Sequence, residues 1–276
     1  MARKTNRQVP LLRRTVRDRI EVLVRLASSN PPAFMSALPG AFEDRSPAVR
    51  ERAAALVTEH KLTEAVPLVE RLLKDKNHLV RHDAAACVGI LGDSGSGRPS
   101  LRALLSDESA LVRAQAAESV GLLGDKDALP RLARLLGDRT PYVRSYAASA
   151  IGCLGGVAYL KRIREILENE RSEQARSGML EALFLLGERS VLREFLGLLE
   201  SSDYHVRCGA ANALEVMPLN SLEKQVALTA LRKANREPLF VADSSTAKRV
   251  LRTLKRDRNS QNQNRAKDRP SQRVNC

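Results

Sequence analysis

Six times between residues 43 and 236, the sequence repeats a pattern with a period of 31 or 32 residues. Each copy has an arginine at the same position of the repeat, and this arginine follows a valine in five of the six copies. The six arginines are Arg50, Arg81, Arg113, Arg144, Arg176 and Arg207. A repeat of this length predicts a stack of similar small units, each of which buries its apolar surface against its neighbours.

Each copy predicts two helices. When positions are counted from the arginine, apolar residues recur at −1, +3, +4 and +7, which lie on one face of an α-helix. Positions +3 and +4 are both alanine in five copies, as at Ala116 and Ala117, and small side chains allow close helix packing. A glycine at +11 predicts a left-handed residue that ends the helix. These glycines are Gly92, Gly124, Gly155 and Gly187.

A second helix follows in each copy, as at residues 128–136. Prolines recur near its start, where a missing N–H costs least. They are Pro67, Pro99 and Pro130. Each copy is therefore predicted to be an αα-hairpin.

The motif has two further parts, an aspartate six residues before the arginine and two glycines after the alanine pair. In the third copy it reads Asp107, Val112-Arg113, Ala116-Ala117, Val120-Gly121 and Gly124. This pattern resembles the HEAT repeats, in the short form named after the phycobilisome lyases. The resemblance implies an all-α fold, a right-handed α-solenoid of about six two-helix HEAT-like repeats with N- and C-terminal cap helices. It also implies that the aspartates and arginines form a hydrogen-bonded ladder between adjacent units, which is a structural role rather than a catalytic one.

Four regions are predicted along the chain. Residues 1–42 form a basic N-terminal helix and cap, and residues 43–236 form the six repeats. Residues 237–256 contain a C-terminal cap helix. Residues 257–276 hold one valine and no other large apolar side chain, which predicts a disordered basic tail.

The two caps are predicted from weaker signals. At the N-terminal end, Arg17 lies 33 residues before Arg50 and is the expected arginine of a degenerate copy. At the C-terminal end, a helix over residues 246–255 would cover the sixth copy with its apolar side chains. These are Val250, Leu251 and Leu254.

The formal net charge of +14 lies entirely in the two ends of the chain. Residues 1–25 carry eight basic and two acidic side chains, and residues 248–276 carry ten basic and two acidic ones. The other 222 residues hold 28 of each sign. The ends are either solvated or arms that contact a polyanion such as RNA, DNA or an acidic protein. The candidate polyanion contacts are Arg3, Lys4, Arg7, Lys255, Arg256 and Arg258.

Position +9 points away from the apolar face of the first helix, and it is apolar in five of the six copies. The resemblance places this helix on the inner, concave side of a solenoid, so these side chains would form a ridge along a groove. The predicted ridge consists of Ile90, Leu122, Cys153, Leu185 and Val216. Tyr146, Glu118 and Glu181 lie beside it and complete the predicted partner-binding set. The alternative is that the ridge side chains pack against the loop of the next hairpin.

The sequence contains few residue patterns that are typical of catalysis or metal binding. The four cysteines form no C-x-x-C pair, and none of the four histidines precedes a glutamate, as the repeated His-Glu pairs of the HEAT-like di-iron hydroxylases would require. We therefore expect no catalytic residues, no metal and no cofactor.

The function predicted from these features is a non-catalytic scaffold or adaptor that binds a partner protein in its groove. The chain lacks an uncharged apolar run long enough to cross a bilayer, and we expect a cytoplasmic protein. Two alternatives stay open. One is a nucleic-acid-associated protein acting through its basic termini, and the other is an enzyme subunit like the phycobilin lyases.

Overall fold

The computed structural model describes residues 15–92, 97–234, 249–250 and 252–254. All regular secondary structure within these ranges is helical, which confirms the predicted all-α, HEAT-like fold class. The chain divides into two compact units, Met1–Leu154 and Gly155–Cys276. The predicted disordered tail lies outside the described residues, as do all six candidate polyanion contacts.

The first unit is built from pairs of antiparallel helices. In chain order its helices are α1 Val16–Ser29, α2 Pro31–Phe42, α3 Pro47–Glu59, α4 Val66–Val69, α5 His78–Leu91, α6 Arg98–Leu104, α7 Ala110–Leu122, α8 Leu129–Leu135 and α9 Pro141–Cys153. Helices α3, α5, α7 and α9, called the arginine helices below, carry the repeat arginines and pack against one another in sequence order. The shorter helices α4, α6 and α8 lie in the connections between them, and α4 continues as a 3₁₀ turn over Glu70–Lys74.

The predicted proline positions are confirmed. Pro67, Pro99 and Pro130 each lie in the first turn of the second helix of a pair, and Pro47 and Pro141 do the same for two arginine helices. A first-turn residue has no intrahelical acceptor for its N–H, so proline begins these helices without losing a hydrogen bond.

The predicted left-handed glycine is confirmed in three of four copies. Gly124, Gly155 and Gly187 have φ angles of 64°, 68° and 108°. The prediction is wrong for Gly92, whose φ is −66°. Helix α5 extends one residue further than the other arginine helices, so Gly92 is the capping residue itself and the chain leaves it in an extended conformation.

A close helix approach in this unit lies at small residues outside the alanine pairs. A Cβ added to Gly89 on α5 would lie 2.5 Å from Ser119 Oγ on α7. The Ser119 hydroxyl donates a 2.8 Å hydrogen bond to the Ala85 carbonyl across the same contact. A Cβ on Gly121 would similarly lie 3.2 Å from Ala150 Cβ on α9. Positions +8 and +6 of successive arginine helices therefore form the contact between them.

The N-terminal helix pair continues the repeat, but in a different register from the one predicted. Arg17 is exposed and pairs with Glu21 on the same helix. The buried arginine of this pair is Arg19, which contacts Asp44 with Nε–Oδ2 at 2.8 Å. Arg19 lies 31 residues before Arg50, which is one repeat period. Burial of the guanidinium against Asp44 selects Arg19, whereas the local Val-Arg pattern had favoured Arg17.

The second unit contains the remaining helices. They are α10 Leu160–Asn169, α11 Glu173–Leu185, α12 Leu192–Gly197, α13 Tyr204–Val216 and α14 Ser221–Ala234. Of the predicted C-terminal cap, residues 249–250 and 252–254 are described and are helical, and Val250 and Leu254 are fully buried. Arg249 hydrogen-bonds Asn212 at 2.7 Å, so this segment packs on the side of α13 that faces the next helix in other copies.

Candidate functional site

The repeated aspartates and arginines form the ladder that the family resemblance implied. Arg50 donates to both carboxylate oxygens of Asp75 at 2.6 and 2.8 Å. The Arg81–Asp107 pair repeats this geometry at 2.8 Å, and the Arg113–Asp138 pair does so at 2.8 and 3.0 Å. These pairs are almost fully buried, so neither partner is available to a substrate.

Each ladder residue is also bound within its own copy. The Nη1 of Arg113 donates to the Asp107 carbonyl at 2.8 Å, and Asp138 accepts the Thr140 N–H at 2.8 Å. Desolvation by burial acts to raise the pKa of Asp138. The hydrogen bonds from Arg113 and Thr140 outweigh this effect and hold the pKa below its usual value. The same balance lowers the pKa of Asp75. These partners therefore favour the charged form of Asp75 and Asp138, which fits a structural role.

In the second unit the ladder positions carry other residues. Glu170 replaces the aspartate and accepts the Ser172 N–H at 2.9 Å. Ser201 occupies the next such position, and its hydroxyl accepts the Asp203 N–H at 3.1 Å while donating to Glu173. Ser201 stands where the carboxylate partner of Arg176 would lie, and a hydroxyl cannot neutralise a guanidinium. Arg176 pairs instead with Glu194 of helix α12.

The predicted ridge is exposed in the first unit. Ile90 on α5 and Leu122 on α7 keep 58% and 61% of their surface open to solvent, and Cys153 on α9 is also exposed. These three side chains occupy the same position on three successive arginine helices. They do not pack into the core, so the alternative of a loop-packed ridge does not describe them. The contact between Gly89 and Ser119 explains this exposure, because α5 and α7 meet at the residue just before Ile90 and leave the Ile90 side chain outside the contact.

The two ridge residues of the second unit differ from each other. Val216 at the end of α13 is 77% exposed, whereas Leu185 at the end of α11 is half-buried. Glu181, one turn before Leu185, is also half-buried. The ridge is therefore most complete on helices α5, α7 and α9 of the first unit. Partner binding by any of these residues stays a prediction.

A second exposed apolar row was missed by the sequence analysis. It lies at position −2, in the first turn of the arginine helices. Leu79 and Leu111 are 40% and 45% exposed, and Tyr142 is half-buried with its ring 4.6 Å from that of Tyr146. Positions −2 and +9 are 11 residues apart, so about three helical turns place them on the same face, roughly 16 Å apart. The 11-residue spacing between apolar positions −2 and +9 is the sequence signal from which the second row could have been predicted.

Acidic side chains occupy the surface between these two rows. Asp83 on α5 is half-buried and lies 2.8 Å from His82 Nδ1, and Glu118 on α7 accepts a 3.0 Å hydrogen bond from Gln115. Glu51 on α3 lies close enough to Asp83 for their charges to interact. We call Glu51, Asp83 and Glu118 the acidic strip.

The acidic strip is partly desolvated by the helices around it. Desolvation raises the pKa of Glu118, against the opposing effects of the Gln115 hydrogen bond and of His82. Desolvation, followed by the negative charge of Asp83, raises the pKa of Glu51. A raised pKa means that the surrounding protein stabilises the negative charge of the carboxylate less well than water does. A cation placed against such a carboxylate would therefore be favoured.

Within the described ranges, no group of three or more His, Cys, Asp and Glu side chains is placed to hold a metal ion. In the same part of the chain, no helix has both the length and the apolar character needed to span a bilayer.

Comparison with known proteins places the repeat within an established family. The family model for HEAT repeats matches residues 34–99 and 98–183, which together make up more than half of the chain. A comparison with curated protein sequences finds no match to this chain.

Among solved structures, the chain is similar to a chain of the CpcE–CpcF complex of phycocyanin lyase from Nostoc sp. PCC7120. The TM-score is 0.61 at 18% sequence identity, over 80% of this chain and 93% of that one. The YibA protein of Escherichia coli matches 93% of this chain and 99% of its own, at 18% identity and a TM-score of 0.47. At 18% identity the lyase likeness describes the fold alone, and the YibA likeness is too loose to carry an argument.

Proposed function

This chain belongs to the HEAT-repeat family, and from that premise we propose that it is a non-catalytic scaffold that binds a partner protein on the exposed face of its arginine helices. The observation that carries this proposal is the ridge of Ile90, Leu122 and Cys153, exposed on three successive helices. Apolar side chains that align across neighbouring repeats and remain open to water favour burial against another protein.

The ladder supports the proposal from the structural side. Because buried ion pairs join successive helices of the first unit, the ridge residues are carried on a rigid base rather than on loops. A rigid display lowers the entropy lost when a partner binds.

The two alternatives have narrower support. A nucleic-acid role would rest on the basic residues at the chain ends, and the arginine helices oppose it because their exposed face carries acidic side chains. A lyase-type role would rest on a fold likeness to the phycocyanin lyase complex, without a residue of this chain to carry it.

The test is affinity capture from nuclease-treated lysate with the full-length wild type and with Leu122→Asp. We expect a partner protein that wild type retains and that Leu122→Asp loses, because a buried unpaired carboxylate in the contact would cost several kcal/mol. Circular dichroism should show equal helix content in both proteins, since Leu122 contributes little to the core.

Leu222→Asp is the matched control. Leu222 is 69% exposed on helix α14 and is not a ridge residue, so the same substitution adds the same charge at similar exposure. Equal loss of the partner in both variants, or retention in both, would contradict the proposal. A partner captured from untreated lysate but lost from the nuclease-treated lysate would favour the nucleic-acid alternative instead.

A further inference from the structure

The exposed face of helices α5, α7 and α9 has two apolar borders. One is the ridge of Ile90, Leu122 and Cys153, and the other is the row of Leu79, Leu111 and Tyr142, called the second row below. On each helix the two positions are separated by 11 residues, or roughly 16 Å along the helix axis. Both borders run from one helix to the next, so the surface between them is a strip bounded by apolar side chains on both sides.

The strip itself carries negative charge in a chain whose net charge is strongly positive. Asp83 and Glu118 lie within it, and Glu51 extends it onto α3. The one arginine on this face of α3, Arg52, is paired with Glu59 at 2.5 Å and leaves the strip acidic. On α9 the corresponding positions hold Tyr146 and Ser149, so the negative charge lies on α3, α5 and α7, on the side of the face away from α9.

The width of the strip favours a helix as its occupant. An α-helix with side chains is about 10–12 Å across, so it can contact both borders at once, whereas a single extended strand would leave one border uncovered. Three neighbouring helices spaced about 9–10 Å apart would accommodate a ligand helix of about 14 residues.

Resting on the function proposed above, we propose that the occupant is a cationic amphipathic α-helix of a partner protein, with Lys or Arg facing the acidic strip and apolar side chains packed against the ridge and the second row. The basic side chains would neutralise the carboxylates of Asp83 and Glu118, and the apolar flanks would cover Leu111 and Leu122. The denser positive charge of the ligand would lie toward α3. The basic excess at the two ends of the chain repels cationic peptides there, whereas this face would attract them.

The experiment measures binding of a fluorescein-labelled synthetic helical peptide of about 14 residues, with lysines on one face and leucines on both flanks, to the full-length protein by fluorescence anisotropy. A matched peptide carries glutamate in place of lysine. The charge variant is the double substitution Asp83→Asn and Glu118→Gln, and the apolar variants are Leu111→Ser and Leu122→Ser. Serine removes the apolar side chain without adding charge, and Leu222→Ser is the control on α14.

We expect the lysine peptide to bind and the glutamate peptide not to bind. The charge variant should bind the lysine peptide about tenfold or more weakly, with less dependence on salt, and each apolar variant should also weaken it. The single substitution Glu118→Gln should leave the melting temperature unchanged or raise it, because desolvation raises the pKa of Glu118 and the folded state therefore disfavours its charge. A merely structural role for this carboxylate would lower the melting temperature.

Three results would overturn the inference. The first is no binding of the lysine peptide. The second is equal binding of the two peptides, or an unchanged affinity of the charge variant while the apolar variants bind more weakly. Either outcome would mean that the proposed scaffold surface binds a ligand of different chemistry. The third is binding that none of the variants changes, which places the peptide elsewhere on the protein. Loss of the captured partner in Leu122→Asp tests the scaffold function independently of all three.

Discussion

At the scale of single residues, the turn after each arginine helix shows how the repeat treats a substitution. Gly124, Gly155 and Gly187 take the left-handed conformation there, and in the first copy Lys61 takes it too, with φ of 54°. A side chain with a Cβ is strained in this region, at a cost of about 1–2 kcal/mol. The fold therefore imposes the same turn on a residue that does not favour it.

Lys61→Gly should stabilise the protein by about 1 kcal/mol, because glycine adopts the left-handed region without the Cβ clash. Urea denaturation of the purified full-length protein measures the change. Gly124→Lys, the reverse exchange at φ of 64°, is the control and should destabilise by a similar amount. A loss of stability in Lys61→Gly would show that the lysine side chain contributes more than its backbone strain costs.

A second prediction at the residue scale concerns the ladder. Asp138→Ala should lower the free energy of unfolding at pH 7 by about 3 kcal/mol, because it leaves the Arg113 guanidinium buried without its carboxylate. The folded-state pKa of Asp138 lies below its unfolded value. Its stabilising contribution is thus fully present above the unfolded pKa of about 3.9 and is lost as pH falls through the folded value.

Urea unfolding of wild type and Asp138→Ala from pH 7 down to pH 3 measures this difference. The gap between the two proteins should be widest at neutral pH and should narrow toward the acid end. Glu21→Ala is the control, because the Arg17–Glu21 pair is exposed and its removal should change stability by less than about 1 kcal/mol. A gap that stays constant with pH would show that the Asp138 charge is not what stabilises the pair.

At the scale of helices, the arginine helices of the first unit pack through small residues and leave one face unpacked. The alanine pairs are fully buried, as at Ala84 and Ala85. A close contact lies at Gly89 and Ser119, on the flank of each helix rather than at its alanine pair. This flank contact leaves Ile90 and Leu122 directed away from the neighbouring helix, so helix packing and display of the ridge have the same cause.

Gly89→Ala tests this contact. The added Cβ would lie 2.5 Å from Ser119 Oγ and 2.8 Å from Ser119 Cα, so α5 and α7 would have to separate. We expect a loss of about 1–3 kcal/mol in a thermal or urea melt, even though alanine favours the helix more than glycine does. In Gly209→Ala, on α13, the new Cβ meets nothing within 4 Å, and the substitution should instead stabilise by up to about 1 kcal/mol. Equal effects of the two substitutions would contradict a tight contact at Gly89.

At the scale of the whole molecule, charge and apolar surface are distributed separately. The excess of basic residues belongs to the first 25 and last 29 residues, while the remaining 222 are balanced. Within the first unit the apolar borders enclose the acidic strip on helices α5 and α7. A partner protein with a cationic helix would thus find one attractive face on a molecule whose ends repel it. This separation is why we place the proposed binding site on the repeats and not on the termini.

The sequence by itself determined the helical repeat, the proline helix starts and the location of the net charge, while its resemblance to the HEAT repeats implied the Arg–Asp ladder. These features depend on residue type at a regular spacing, so a pattern along the chain is enough to read them. Only the tertiary structure decided that Arg19 rather than Arg17 is buried, that Gly92 is extended, and that Leu79 and Leu111 form a second row. Each of these depends on which face of a helix its neighbours cover, and the chain brings those neighbours together from about 30 residues away.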